Sequence, residues 1–76
     1  MKKTIHSEKS QKLQELLTQA RIDAALTQQQ LADKLDKPQS FVAKYEGGER
    51  RIDVIELIEV CNAMEVDALK LIKQIV

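Results

Sequence analysis

Apolar residues recur along most of this chain at three- and four-residue intervals, the spacing of one face of a helix. Leu13, Leu16, Leu17 and Ala20 make the first stripe, with Lys9, Lys12, Glu15 and Gln19 off it. The pattern predicts a helix from about Ser7 or Ser10 to about Asp23, then a short link over residues 24–26. Thr27 followed by Gln30 is a T-x-x-Q capping box, in which each residue satisfies an N–H of the other. It opens a second helix whose inward positions are Leu31, Ala32 and Leu35. Asp36-Lys37-Pro38 breaks the pattern, and Pro38 is suited to the start of a third helix because its missing N–H is not needed there. That helix runs from about Pro38 or Gln39 to Glu46, where Gly47-Gly48 stops it with residues that accept left-handed geometry. After the loop Glu49-Arg50-Arg51-Ile52, Asp53 with Glu56 three residues on caps a fourth helix. Its expected inward stripe is Val54, Leu57, Ile58, Cys61 and Met64. Asp67 caps a fifth helix, with Leu69, Ile72 and Val76 on one side and Leu71 and Ile75 on another. No segment alternates with the period of two that a strand requires, so the expected class is all-α with five helices.

Length and composition narrow this further. The 76 residues suffice for one small domain, expected over residues 7–76, with residues 1–6 as a flexible N-terminal tail. Hydrophobic residues are 43% and charged residues 32%, a globular balance, and Phe41 and Tyr45 are the only aromatics. The core must therefore be mostly Leu, Ile, Val and Ala. The single Cys61 excludes an internal disulfide and fits a reducing cytoplasm. The start MKKTIHSEKSQK has no apolar run behind its basic residues, so no signal peptide is expected. No apolar stretch approaches the roughly 20 residues that span a bilayer. The expected location is the cytoplasm, without membrane attachment. Catalysis finds no support: no nucleophile is paired with a base, no metal-ligand spacing occurs, and His6 has no Cys or His neighbour. No enzyme activity, cofactor or metal is expected.

Two short helices joined by a three- or four-residue break, the second with a polar outer face, are the supersecondary unit that reads DNA. The unit makes specific demands. Ala32 must be small where the two helices cross, Leu31 and Leu35 must anchor the first, and Val42 and Tyr45 the second. Gln39, Ser40, Ala43 and Lys44 then form one outward strip. Glutamine can pair bidentately with adenine, lysine can donate to guanine O6 and N7, and serine adapts to either.

The stretch LTQQQLADKLDKPQSFVAKYEGGERRIDVIELIEVCNAM, residues 26–64, resembles the Cro/C1-type (XRE) helix-turn-helix family of bacterial and phage repressors. TQxxLA followed by PQSFVxKYExGxRR carries the resemblance. It implies a five-helix, lambda-repressor-like DNA-binding domain and a small transcriptional regulator, most often a repressor, that binds double-stranded DNA in a sequence-specific way. By position, Gln28 matches a residue that bonds a phosphate and braces a base-reading side chain. Gln39, Ser40 and Lys44 match base-reading positions, and Arg50 and Arg51 match positions that grip the backbone. Arg21 and Glu46 match a pair that in several relatives forms a partly buried ion pair. Asp36 stands where the family often has Gly; Asp tolerates left-handed geometry better than most residues. Ala43 stands where it often has Ser, which leaves contact with a thymine methyl. Phe41 lies between the core strip and the DNA strip.

Charge complicates the picture. The net charge is zero, whereas a duplex attracts Lys and Arg. Residues 1–26 are net +2, residues 27–51 net +1 and residues 52–76 net −3. The motif itself is thus nearly neutral, and strong binding is expected from a homodimer reading two half-sites about 34 Å apart. Leu71, Ile75 and Val76 on the last helix are the expected dimer surface; otherwise they close the core of one monomer. Three other readings fit the residues: the antitoxin of a toxin–antitoxin pair, with a toxin as partner; a restriction–modification controller; and, from a different class, a protein-interaction module without DNA binding.

Overall fold

The computed structural model describes residues 7–76 and contains five helices: α1 (Glu8–Asp23), α2 (Gln28–Leu35), α3 (Gln39–Glu46), α4 (Val54–Ala63) and α5 (Ala68–Lys73). No strand occurs among the described residues. The expected tail, residues 1–6 with His6, lies outside them.

Four of the five helices start where a side-chain oxygen takes an N–H that has no partner inside the helix. Ser7 Oγ accepts from the Ser10 N–H at 3.2 Å. The Thr27 hydroxyl accepts from the Gln30 N–H at 3.0 Å while Gln30 Oε1 accepts from the Thr27 N–H at 2.9 Å. Asp53 and Glu56 repeat this box on α4, at 2.7 and 3.0 Å. Asp67 accepts from the Leu69 N–H at 2.9 Å. Only α3, which Pro38 precedes, has no side-chain cap.

The ends of α1 to α4 share one device. In the Schellman arrangement a left-handed residue lets the chain fold back on the last turn, so that two free carbonyls are satisfied. Ala25, Asp36 and Glu65 all sit at φ 61°, and Gly48 at φ 81°. After α1, the Leu26 N–H donates to the Arg21 carbonyl and the Ala25 N–H to that of Ile22. After α2, α3 and α4 the equivalent donors are Lys37 and Asp36, Glu49 and Gly48, and Val66 and Glu65. The break expected at Asp36 therefore has left-handed geometry, with aspartate where glycine would be easiest. Two further left-handed turns, at Ala25 and Glu65, carry no sequence signal at all.

The core collects Leu17, Leu31, Ala32, Phe41, Val42, Tyr45, Leu57, Val60, Cys61, Met64 and Leu71 from all five helices. Burial pushes the Cys61 thiol and the Tyr45 phenol above their ordinary pKa values, so both stay protonated. The Tyr45 hydroxyl is buried with no hydrogen-bond partner.

Two expectations need correction, and the position of Phe41, left open by the sequence pattern, is settled. Leu71, expected on a dimer surface, is 3% exposed and belongs to the core, and Ile75 is half-buried against it; of that trio only Val76 is exposed. In a chain with two aromatics, the last helix is needed to close the monomer. On α4, the expected inward positions Val54 and Ile58 are both exposed, and Val60 is buried instead. The observed stripe is Leu57, Val60, Cys61 and Met64, which keeps the helical spacing; Ile58 lies about 100° round from Leu57. Phe41, between two strips in the sequence pattern, is buried, with its ring 5.4 Å from that of Tyr45 in an edge-to-face contact.

The left-handed turns generate a stability prediction. An L-residue with a Cβ at this geometry costs about 1–2 kcal/mol, partly offset in a glycine variant by the greater freedom of the unfolded chain. Ala25 and Glu65 are both exposed, so neither loses packing on replacement. Ala25→Gly and Glu65→Gly should each stabilise the fold by about 0.5–1 kcal/mol, read as a rise of a few degrees in Tm. An unchanged or lowered Tm would contradict the left-handed assignment.

Candidate nucleic-acid interface

α3 spans eight residues, too few for a helix to hold itself in water. Its orientation must come from what it touches. On the inner side Phe41, Val42 and Tyr45 enter the core, while Gln39, Ser40 and Lys44 are exposed and Ala43 is half-buried. At its last residue, Glu46 is tied to two other helices.

Arg21 of α1 meets the Glu46 carboxylate with two hydrogen bonds, Nε to Oε2 at 2.8 Å and Nη2 to Oε1 at 3.1 Å. The two side chains are 14% and 7% exposed. Hydrogen bonding to Glu46 raises the Arg21 pKa above its ordinary value, against the opposing effect of burial. The third guanidinium nitrogen, Nη1, donates to the Leu26 carbonyl at 2.9 Å, fastening the α1–α2 link. Gln28, the first residue of α2, also donates to Glu46, Nε2 to Oε1 at 2.9 Å. Its own Oε1 accepts from Gln39 Nε2 at 2.7 Å.

This series has only one polarity. A carboxylate only accepts, so Gln28 must turn its amide NH2 toward Glu46 and its oxygen toward Gln39. Gln39 must then use one amide N–H on Gln28. Its second amide N–H and its Oε1 remain free, and together these are the donor and acceptor that match adenine N7 and N6. The order Arg21–Glu46–Gln28–Gln39 thus runs from a half-buried charge to the exposed face of α3.

The loop after α3 is also held. Arg50 lies over the Phe41 ring at 4.9 Å and forms two hydrogen bonds to Glu56, at 3.0 and 2.9 Å. Lys37 approaches the same ring at 5.3 Å. The family resemblance implies that Arg50 grips the DNA backbone, but here its guanidinium is engaged within the chain. Arg51 is exposed, and neither it nor Lys44 forms an ion pair among the described residues. Sequence reasoning misses the Arg50–Glu56 contact. It marks Glu56 only as a capping residue, and a spacing of six residues across a loop carries no periodic signal. Among the described residues no group of His, Cys, Asp or Glu could hold a metal ion, and no helix is long and apolar enough to cross a membrane.

The Glu56 carboxyl is held at about 2, against an ordinary 4.5, first by the hydrogen bonds from Arg50 and then by the Asp53 N–H. A carboxyl whose pKa is lowered by folding stabilises the fold fully above its unfolded value and loses that contribution as pH falls toward its folded value. Glu56→Gln keeps a capping side chain and removes the charge. The variant should melt below the parent at pH 7, and the gap should close between pH 4.5 and about 2. A gap that does not change with pH in a thermal-denaturation series would contradict an ionic origin.

A helix-turn-helix family model matches residues 17–71. Among solved structures, an XRE-family like protein from Pseudomonas syringae pv. tomato str. DC3000 is similar at 44% identity over 93% of this chain and 87% of that one, with a TM-score of 0.88. The restriction–modification controller protein C.Esp1396I, as a tetramer in complex with its natural 35 base-pair operator, superposes with a TM-score of 0.82 at 18% identity, covering 92% of each chain. The clp gene regulator ClgR from C. glutamicum gives 0.81 at 18% identity, over 92% of this chain and 91% of that one. The last two likenesses show the fold alone. None of the curated proteins compared matches the sequence. With the family model covering most of the chain and a relative at 44% identity along nearly all of it, the chain belongs to the XRE, or Cro/C1-type, family of helix-turn-helix DNA-binding regulators, which are not enzymes.

Proposed function

We propose that the chain is a small transcriptional repressor of the cytoplasm that binds double-stranded DNA sequence-specifically, with α3 in the major groove and two copies reading two half-sites. The observation that carries this is the Glu46–Gln28–Gln39 series, which holds a glutamine amide on the exposed face of α3 with the hydrogen-bonding pattern of an adenine reader. Gln39, Ser40 and Lys44 contact bases, and Ala43 meets a thymine methyl. Gln28 adds a phosphate contact to its bracing role. Arg51 grips the backbone directly. Arg50 does so only if phosphate replaces or joins Glu56, so its share of the affinity is the smaller. The controller tetramer on its operator supports the reading by showing a protein of this fold on DNA in several copies.

Selection of bound sites from a random duplex pool, followed by titration of the selected site, tests this. Lys44→Ala should change which base is preferred at one position of each half-site. Arg51→Ala should weaken all sequences alike and flatten the dependence of log K on log salt by about 0.9 for each phosphate that the variant no longer neutralises. Equal weakening of every sequence by Lys44→Ala would contradict the placement of the reading face. No retention on bulk DNA at low salt would favour the interaction module that the zero net charge suggests.

A further inference from the structure

The domain commits one of its cations to an acid of its own. Arg50 meets Glu56 with both terminal nitrogens, Nη1 to Oε1 at 3.0 Å and Nη2 to Oε2 at 2.9 Å. This parallel fork is the geometry with which arginine also takes a phosphate. The pair stands where a phosphate could reach it: its side chains are 40% and 18% exposed. Its place is beside the first turn of α3, because the guanidinium lies 4.9 Å from the Phe41 ring and Phe41 belongs to that turn. Lys37, which forms no ion pair among the described residues, stands 5.3 Å from the same ring. One carboxylate therefore sits among the cations beside the end of α3 that carries Gln39 and Ser40.

We infer that Glu56 occupies the place of a DNA phosphate and restrains binding, because Arg50 must leave it before gripping the backbone. The inference rests on the DNA-reading proposal and adds to it a residue that works against affinity. Carboxylate and phosphate oxygens compete for one guanidinium fork. Phe41 can carry that fork in either state, since a ring face attracts the cation whatever its in-plane partner is. Lys37 supplies a second donor to a phosphate that takes the carboxylate's position.

Glu56 does not depend on Arg50 for its own position. Its Oε1 accepts from the Asp53 N–H at 3.0 Å, and the Asp53 carboxylate accepts from the Glu56 N–H at 2.7 Å. When Arg50 leaves, the carboxylate stays on α4, still charged and beside the duplex, where it repels phosphate. The acid thus opposes binding twice, by holding Arg50 back and by its own charge. A phosphate contact carries no base information, so the restraint acts on all sequences alike. The same side chain stabilises the fold, and substitution separates the two effects: Glu56→Gln lowers Tm and tightens DNA binding.

The test is the affinity of the full chain for its selected site and for an unrelated duplex, each over a range of salt. The parent is compared with Glu56→Gln, Glu49→Gln, Arg50→Ala and the double variant Arg50→Ala/Glu56→Gln. Glu49 is an exposed acid next to Arg50 that forms no ion pair among the described residues, so its variant measures the loss of one charge alone. Circular dichroism verifies that each variant is folded at the temperature of the titration. Glu56→Asp, which keeps the charge but withdraws the carboxylate by one methylene, loosens the pair in a second way. Glu56→Gln should bind both duplexes about two- to fivefold more tightly than the parent, the range an exposed ion pair supplies, and more tightly than Glu49→Gln. Its salt dependence should be steeper, by at most about 0.9 for each copy bound. Glu56→Asp should show part of the gain, and Arg50→Ala should remove most of it. A Glu56→Gln variant no tighter than Glu49→Gln, or a gain that persists in full without Arg50, overturns the inference and leaves the DNA-reading proposal standing. A parent retained on no duplex removes both.

Discussion

The Glu46 carboxylate is the point on which the arrangement of the proposed reading face depends. It takes three hydrogen bonds, two from Arg21 and one from Gln28, and gives none. Because it can only accept, it fixes the direction of every amide beyond it, out to Gln39 on the surface. Breaking an ion pair from one side leaves the other charge in place without a partner, and at this partly buried pair the loss falls below the about 3–5 kcal/mol of a fully buried one. The same contact therefore serves two levels of organisation. It pins the C-terminal end of a helix too short to stand alone, and it aligns a side chain at that helix's N-terminal end.

The opposite edge of α3 is secured by different chemistry. Phe41 lies buried beneath two cations, and Arg50 reaches past it to Glu56 at the start of α4. Glu56 in turn caps α4 through the Asp53 N–H. The α3–α4 loop is thus tied at both ends, one cation being committed to structure and its neighbour Arg51 left to solvent. This division matters because the chain has no surplus of positive charge. A neutral domain with few free cations would gain binding energy by placing two reading helices on one duplex.

Local chemistry makes the helices readable. Capping residues at Thr27, Asp53 and Asp67, and the Asp36–Pro38 break, each act within a few residues of themselves, and the five helices fall where those signals put them. Contacts across the chain are less legible. Arg21 and Glu46 are separated by 25 positions, and only the resemblance to a family points to them as a pair; no periodicity links them. On α4 the segment VIELIEVCNA is apolar on more than one side, so two stripes of equal helical spacing compete. Which one turns inward is decided by neighbouring helices, and the inward one includes Val60 rather than Val54 and Ile58. Leu71 falls to the core for the same reason: a hydrophobic residue on a last helix has one appearance in sequence and two destinations. The left-handed turns at Ala25 and Glu65 are invisible in the sequence because neither residue favours that geometry; the hydrogen bonds that close α1 and α4 impose it.

The claim that Gln28 positions Gln39 for reading is tested most directly by a double-mutant cycle on DNA affinity. The parent, Gln28→Ala, Gln39→Ala and the double variant would be titrated against one selected duplex at fixed salt. If the two amides act as one unit, their effects are not additive, and the coupling lies at about 1 kcal/mol or more, within the range seen for residues sharing a hydrogen-bond network. Additive effects, with a coupling near zero, would contradict the account, because Gln39 would then read DNA without the support that Glu46 and Gln28 provide.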